Sequence, residues 1–337
     1  MRSPPRPGIA WLIAVAALLA VLLIAFAAGK YPLTAGDVLR ALLSRLGLAD
    51  PPAATVDTVL WNIRLPRIAA GLAVGAMLGA AGAAYQNMFR NPLVSPDILG
   101  VSAGAGLGAA AAIFLGLPLL AVQGLAFTGG LLAVIAVYLI AGTVRRHDPV
   151  LVLVLAGVAV GALLGAGISL LKILADPYTQ LPSITFWLLG GLNAVTIGDL
   201  LATLPAMLLG VLPLALLRWR INLLSLGDEE AAARGGNVRR LRAWLIAAAT
   251  LGTAAAVSLA GIIGWLGLVV PHMARLLVGP EFSRLLPASL ILGAGFLVAT
   301  DTLARTVAAM ELPLGILTAL VGAPFFLVLL ARGGRRP

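Results

Sequence analysis

The chain has no cysteine. Disulfides, thiolate metal sites and cysteine redox chemistry are therefore outside its reach. Histidine is scarce as well. His147 and His272 are the only two, they lie far apart, and neither sits in a metal-binding spacing such as H-E-x-x-H. Charge is thin: Asp, Glu, Lys and Arg make up 11% of the 337 residues, against roughly 25% in an average soluble domain. There is no G-x-x-x-x-G-K-[ST] loop to cradle a nucleotide, so the chain does not itself hydrolyse ATP. A G-x-S-x-G elbow is missing too. These absences exclude most catalytic classes, a lipid-acting membrane enzyme among them, and no cofactor or metal is expected on this chain.

What is present is apolar. Hydrophobic residues make up 61% of the chain, more than a soluble domain can hide, and they come in continuous runs that do not alternate. Continuous runs fit membrane helices and not a β-barrel. The expected fold is an all-α polytopic membrane protein with about ten spans in one transmembrane domain over 1–337. They fall near 9–29, 66–85, 97–115, 119–142, 150–174, 193–217, 241–262, 264–278, 284–307 and 313–331. The run after Arg2 and Arg6 is longer than a usual signal-peptide core, so it reads as an uncleaved first span. The run at 264–278 is too short to cross alone and holds Pro271, which points to a broken or tilted helix packed on protein. Gly71, Gly75 and Gly79, and again Gly157, Gly161 and Gly165, leave one helix face bare for close packing. Between spans one and two, 30–65 reads as an outer segment. In it Thr34 to Leu48 has the spacing of an amphipathic surface helix.

The +10 net charge could suggest nucleic acid, but its distribution argues for membrane orientation. Sixteen of the 23 basic residues fall on one side, against six acids, while the remainder of the chain balances to zero. The basic side is expected in the cytoplasm, with both termini there. The richest segment is 218–242, with nine charges in 25 positions. Within it, Gly227, Asp228, Glu229, Glu230 and Ala231 lead to Arg234 and Gly235. Acids first, alanines next, a base in the last turn and glycine after is the punctuation of a short helix. A polar helix shown outside the bilayer is either a solvated connector or a surface for a soluble partner. Ionisable groups in or beside spans are few: Lys172, His272, Asp301, Arg305 and Glu311. Asp301 and Arg305 are one turn apart and can pair. A carboxylate near the bilayer centre, which an ion-coupled secondary transporter needs, is not evident, so transport energy is expected from elsewhere.

Several motifs then occur in order. They are Arg64-Leu65-Pro66-Arg67, Gln86, Asn91-Pro92-Leu93-Val94-Ser95-Pro96-Asp97-Ile98-Leu99-Gly100, Gly261 to His272 with Arg275, Glu311-Leu312-Pro313-Leu314-Gly315 and Gly322-Ala323-Pro324. Over roughly 60–332 the chain resembles the FecCD-type permeases, membrane subunits of ABC importers for iron–siderophores, haem and cobalamin. The resemblance implies the type II ABC importer architecture in a bacterial cytoplasmic membrane. It implies a homodimer with the pathway at its interface, two cytoplasmic ATPase subunits that bind ATP and magnesium, and an extracytoplasmic binding protein. It casts Gly227, Asp228, Glu229, Glu230, Ala231, Arg234 and Gly235 as the coupling element. Arg64, Arg67 and Arg305 become the outer arginines that receive the binding protein's carboxylates. Asn91, Pro92 and Leu93 fall in the gate region, and Lys172 is a pathway candidate. The chain departs from relatives at Arg234-Gly235-Gly236, where they often read Leu-Gly-Val. The implied cargo is a bulky metal chelate, ferric siderophore first, with haem, cobalamin or an oxyanion as alternatives.

Overall fold

The computed structural model describes residues 7–144, 149–225, 230 and 237–333. Among the described residues every regular element is helical. Helix α1 covers Pro7–Ala27 and α2 covers Ala35–Arg45. A single 35-residue helix, α3, runs Ala54–Met88. Next come α4 (Val101–Phe114), α5 (Leu119–Thr143), α6 (Pro149–Leu174), α7 (Gln180–Leu189) and α8 (Ile197–Leu216). The last four are α9 (Val238–Ala260), α10 (Leu266–Val278), α11 (Phe282–Ala304) and α12 (Leu314–Gly333). Seven of these helices are long and apolar enough to cross a membrane, and α4, α10 and α12 contribute shorter apolar stretches.

The bundle has an inside and an outside. In α3 and α9, 78% of the membrane-length window is buried, and in α11 56%, whereas α1, α6 and α8 bury only 17–22%. The inner helices are the ones rich in Gly and Ala, because close approach in lipid comes from small side chains rather than from a hydrophobic drive. A Cβ at Gly75 would collide with the Gly293 carbonyl oxygen, one at Gly79 with that of Ser289, and one at Gly82 with that of Gly267. So α3 lies backbone-to-backbone on α11 and on the start of α10. The second glycine series behaves differently. Gly157 abuts the Ile98 carbonyl, but Gly161 and Gly165 face open space.

One expectation is refined, and one helix joins the expected set. The segment 30–65 is more helical than the single surface helix expected in it. Besides α2, residues from Ala54 onward already belong to α3, since nothing between Ala54 and Arg64 breaks a helix. Pro66 lacks the N–H that a regular turn would use, and the turns just before it, Thr58–Arg64, widen to i→i−5 bonding. The added helix is α7, which lies between the expected spans at 150–174 and 193–217. Pro182 stands in its first turn, where a missing N–H costs nothing. The Asp176 carboxylate accepts from Thr179 N at 2.8 Å and Tyr178 N at 3.1 Å, which organises the entry. Those same bonds, with the Thr179 hydroxyl foremost, hold its pKa below the usual carboxylate value.

Candidate functional site

Three regions gather polar chemistry, and helix ends build each of them. The first is a charge cluster at one end of the bundle. Helix α1 stops at Ala27, which leaves its last carbonyls without partners along the helix. Two guanidiniums supply them. Arg305 donates to Ala25 O at 2.5 Å and Ala28 O at 2.8 Å, and Arg64 donates to the carbonyls of Phe26 and Tyr31. A cation at a helix C-terminus also meets the favourable end of the macrodipole. Arg67 binds Asp301 through Nε, 2.8 and 2.9 Å to the two carboxylate oxygens, and donates through Nη1 to Glu311 Oε2 at 2.9 Å. Asp301 lies 3.6 Å from Arg305 Nε one turn along α11, the pairing anticipated from their spacing.

In this arrangement Arg64, Arg67 and Arg305 are buried side chains. They are 3%, 7% and 6% exposed, and the hydrogen bonds they make go to groups of this same chain, while Arg305 Nε has no hydrogen-bond partner. Buried charge is tolerated only when paired or hydrogen-bonded, and three arginines face only two carboxylates here. The cluster therefore keeps one positive charge. Glu311, half-buried, is its outermost carboxylate.

The second region is a junction of broken helices. The C-terminal ends of α7 and α9 and the N-terminal end of α12 meet there. Gly191 N donates to Ala260 O at 2.8 Å, and Leu314 N donates to Gly190 O at 3.0 Å. Gly190 and Gly261 both have positive φ, 71° and 69°, and a Cβ at either would strike a neighbouring carbonyl. Beside the junction lies a cavity of about 290 Å³ lined by Arg67, Gln123, Trp187, Asn193, Ser258 and Glu311, so the charge cluster opens into it. Trp265 holds a φ of 67°, strained for an aromatic residue, and Gly322 leaves room for it on α12.

The third region lies at the opposite, basic end. Gln86 Nε2 donates to Leu268 O at 3.2 Å, and Arg275 Nη1 donates to Gln86 Oε1 at 2.5 Å, which ties α3 to α10. His272 meets Phe325 of α12 edge-on at 6.1 Å. Asn91 folds its turn by accepting from Leu93 N at 2.9 Å, and Asn91, Pro92 and Leu93 are all exposed. Lys172 is not part of this region: it is half-buried in the last turn of α6, at the end of that helix remote from Pro149, a position that suits a cation on helix-dipole grounds alone. Of the coupling stretch, Gly227, Asp228, Glu229, Ala231, Arg234 and Gly235 lie outside the described residues; Glu230 is helical and exposed. Among the described residues no group of three or more His, Asp or Glu could hold a metal ion.

Residues 17–332 match the FecCD transport family. The chain belongs to that family. It is 40% identical to the cobalamin import system permease protein BtuC of Halobacterium salinarum, covering 98% of each chain. It is 39% identical to the molybdate import system permease protein MolB of Haemophilus influenzae, over 91% of each. A solved structure described as an inward-facing conformation of a metal-chelate type ABC transporter superposes with a TM-score of 0.87 at 34% identity, covering 97% of this chain and all of that one. The fold is thus that of an ABC permease, and the chain is a multi-pass membrane permease of the FecCD family. The Gln86–Arg275 tie and the wholly internal bonding of Arg64 were not legible in the sequence, because each joins residues far apart along the chain.

Proposed function

We propose that this FecCD permease is the membrane subunit of an ATP-driven importer for a metal chelate, ferric siderophore first among the candidates. The observation that carries the reading is the family match along residues 17–332. The disposition of charge supports it. Asp301, the one carboxylate buried within a described span, is bonded to Arg67 and is not free to carry a coupling ion. Energy then enters from outside the chain, at the polar stretch 227–236, through two cytoplasmic ATPase subunits that bind ATP and magnesium. The basic end faces the cytoplasm of a bacterial inner membrane. The pathway forms between two copies of the chain, a reading favoured by the unfilled glycine face at Gly161 and Gly165 and by the largely exposed α6. An extracytoplasmic binding protein docks over the outer end. Its carboxylates are drawn by the residual positive charge of the Arg64–Arg67–Arg305 cluster and engage those arginines as the cluster's own partners yield. Asn91, Pro92 and Leu93 form part of the gate, and Lys172 borders the pathway.

The test is purification of the tagged chain from its native membrane in mild detergent, followed by mass spectrometry. A stoichiometric subunit with a P-loop, lost when 227–236 becomes a Gly/Ser linker, is the expected result. Proteoliposomes of the chain alone that move a chelate down an ion gradient would overturn it. Uptake of ferric siderophore, haem, cobalamin and molybdate by a deletion strain carrying the chain then ranks the substrates. Relatives whose names specify cobalamin and molybdate place that choice beyond family membership.

A further inference from the structure

On the outer surface of the bundle, toward its basic end, α5 and α9 diverge and leave two cavities that share Tyr138 and Ala243. The one nearer the basic end, about 550 Å³, is lined by Arg239 and Arg242, one turn apart on α9, and by Pro149, the first residue of α6. The other, about 440 Å³, continues along the same two helices and is apolar, with Leu131, Ile135 and Leu139 on one wall and Ile246, Ala247 and Leu251 on the other. We infer that these cavities form one binding site for an anionic phospholipid, its phosphate at Arg239 and Arg242 and an acyl chain in the apolar groove.

The chemistry of the two halves differs in the way that the two ends of a lipid differ. Two arginines and the N-terminal end of a 26-residue helix converge on the first cavity. Arginine suits phosphate through its fork of donors, and a helix N-terminus carries partial positive charge. The second cavity has no charged residue in its lining. Ile135 and Leu139 are 52% and 65% exposed, so the groove opens away from the bundle, where hydrocarbon lies. Ala243 and Ala247 provide its width: larger side chains there would fill it.

Length agrees too. From Arg239 to Leu251 is twelve residues of helix, about 18 Å at 1.5 Å per residue. One leaflet supplies about 15 Å of hydrocarbon, half of a core about 30 Å thick. The headgroup would thus sit at the interface while the chain reaches toward the bilayer centre. Tyr138, partly exposed at the boundary between the cavities, has the amphipathic ring that favours this depth. Basic pockets between membrane helices are a recognised way to hold anionic headgroups, and the charge here is matched to phosphatidylglycerol or cardiolipin rather than to a zwitterionic lipid. The inference does not depend on which substrate the permease carries.

Native mass spectrometry of the full chain in detergent tests it. Phosphatidylglycerol is titrated against phosphatidylcholine of the same acyl chains, and inorganic phosphate is a third arm. Phosphatidylglycerol should be retained in preference, one molecule per chain at the lowest concentrations. Arg239→Gln, at an exposed position, should weaken that retention about fivefold, the worth of one basic residue near a membrane surface. Ala247→Phe, which fills the groove and leaves the charges in place, should weaken it as well. Equal retention of the two lipids would overturn the inference. So would retention indifferent to both variants. Displacement by inorganic phosphate together with indifference to Ala247→Phe would make the first cavity a simple anion pocket. Loss of a dimer rather than of lipid in Ala247→Phe would give the groove to a second copy of the chain.

Discussion

Arg67 is the residue whose removal most sharply separates a scaffold from a docking surface. Its Nε holds both oxygens of Asp301 at 2.8 and 2.9 Å, and its Nη1 holds Glu311 at 2.9 Å. Asp301 is 2% exposed. In Arg67→Gln that carboxylate keeps only Arg305, at 3.6 Å. Breaking a buried pair from one side typically costs about 3–5 kcal/mol, because the remaining charge is stranded, whereas removing both partners costs far less. Arg305 offsets part of the loss, so about 2–4 kcal/mol of destabilisation is expected. Adding Asp301→Asn should restore more than half of it. The assay is reversible unfolding in mixed micelles for wild type, both single variants and the double. A coupling energy of about 2 kcal/mol or more supports the internal role. If Arg67→Gln unfolds within about 0.5 kcal/mol of wild type, as free surface substitutions do, the reasoning from burial is wrong and Arg67 is a docking residue only.

Gly82→Val should fail to assemble or be destabilised by at least about 1–3 kcal/mol, since its side chain would meet the Gly267 carbonyl; Gly161→Ala, facing open space, should leave the folded chain within about 0.5 kcal/mol and disturb only association between copies, read by cross-linking. Thr34 caps α2, accepting from Asp37 N at 3.1 Å while Asp37 accepts from Thr34 N at 2.9 Å; Thr34→Ala should speed amide exchange in α2 about fivefold. The Thr34 hydroxyl bond, then the Thr34 N–H bond, hold the Asp37 pKa below its ordinary value, so the cap's contribution is full above the unfolded-state pKa and is lost as pH falls through the lower folded value. Exchange in α2 measured down an acid titration should show that order, and protection that rises as the carboxylate protonates would refute it. Gln86→Leu removes the acceptor of Arg275 and the donor to Leu268 O, so the end of α10 should become more accessible to cysteine-directed labelling at substituted positions, with α4 and α5 unchanged.

Long apolar runs could be read without a structure because 3.6-residue packing in lipid needs little besides length and hydropathy. The short span at 264–278 was legible too, because Pro271 and a 15-residue run leave few options. Helix α7 was missed for the opposite reason. Two prolines and an Asx-type entry look the same whether a loop continues or a helix begins, and Gln180 declares the helix only by reaching Phe114 O at 2.8 Å on another element. The charge cluster was half legible. The family resemblance singled out Arg64, Arg67 and Arg305, and spacing paired Asp301 with Arg305, but burial depends on where α1 ends. No local pattern says that Ala25 and Phe26 will offer their carbonyls to arginines 38 or more residues away.

That dependence bears on mechanism. Docking through these arginines requires a carboxylate from outside to compete with Glu311, the outermost and least buried internal partner, before it can reach Asp301. Glu311 begins the connector whose Leu314 N is bonded to Gly190 O, at the junction of α7, α9 and α12. A partner that captures Arg67 would therefore act on the same few residues that hold three helix ends together, and binding at the surface would be felt in the packing of the bundle. With Glu311→Gln the internal competitor loses its charge, and an incoming carboxylate should bind Arg67 more tightly than in wild type. Unchanged affinity in Glu311→Gln, with docking still abolished by Arg67→Gln, would separate the two steps and leave the junction out of the signal.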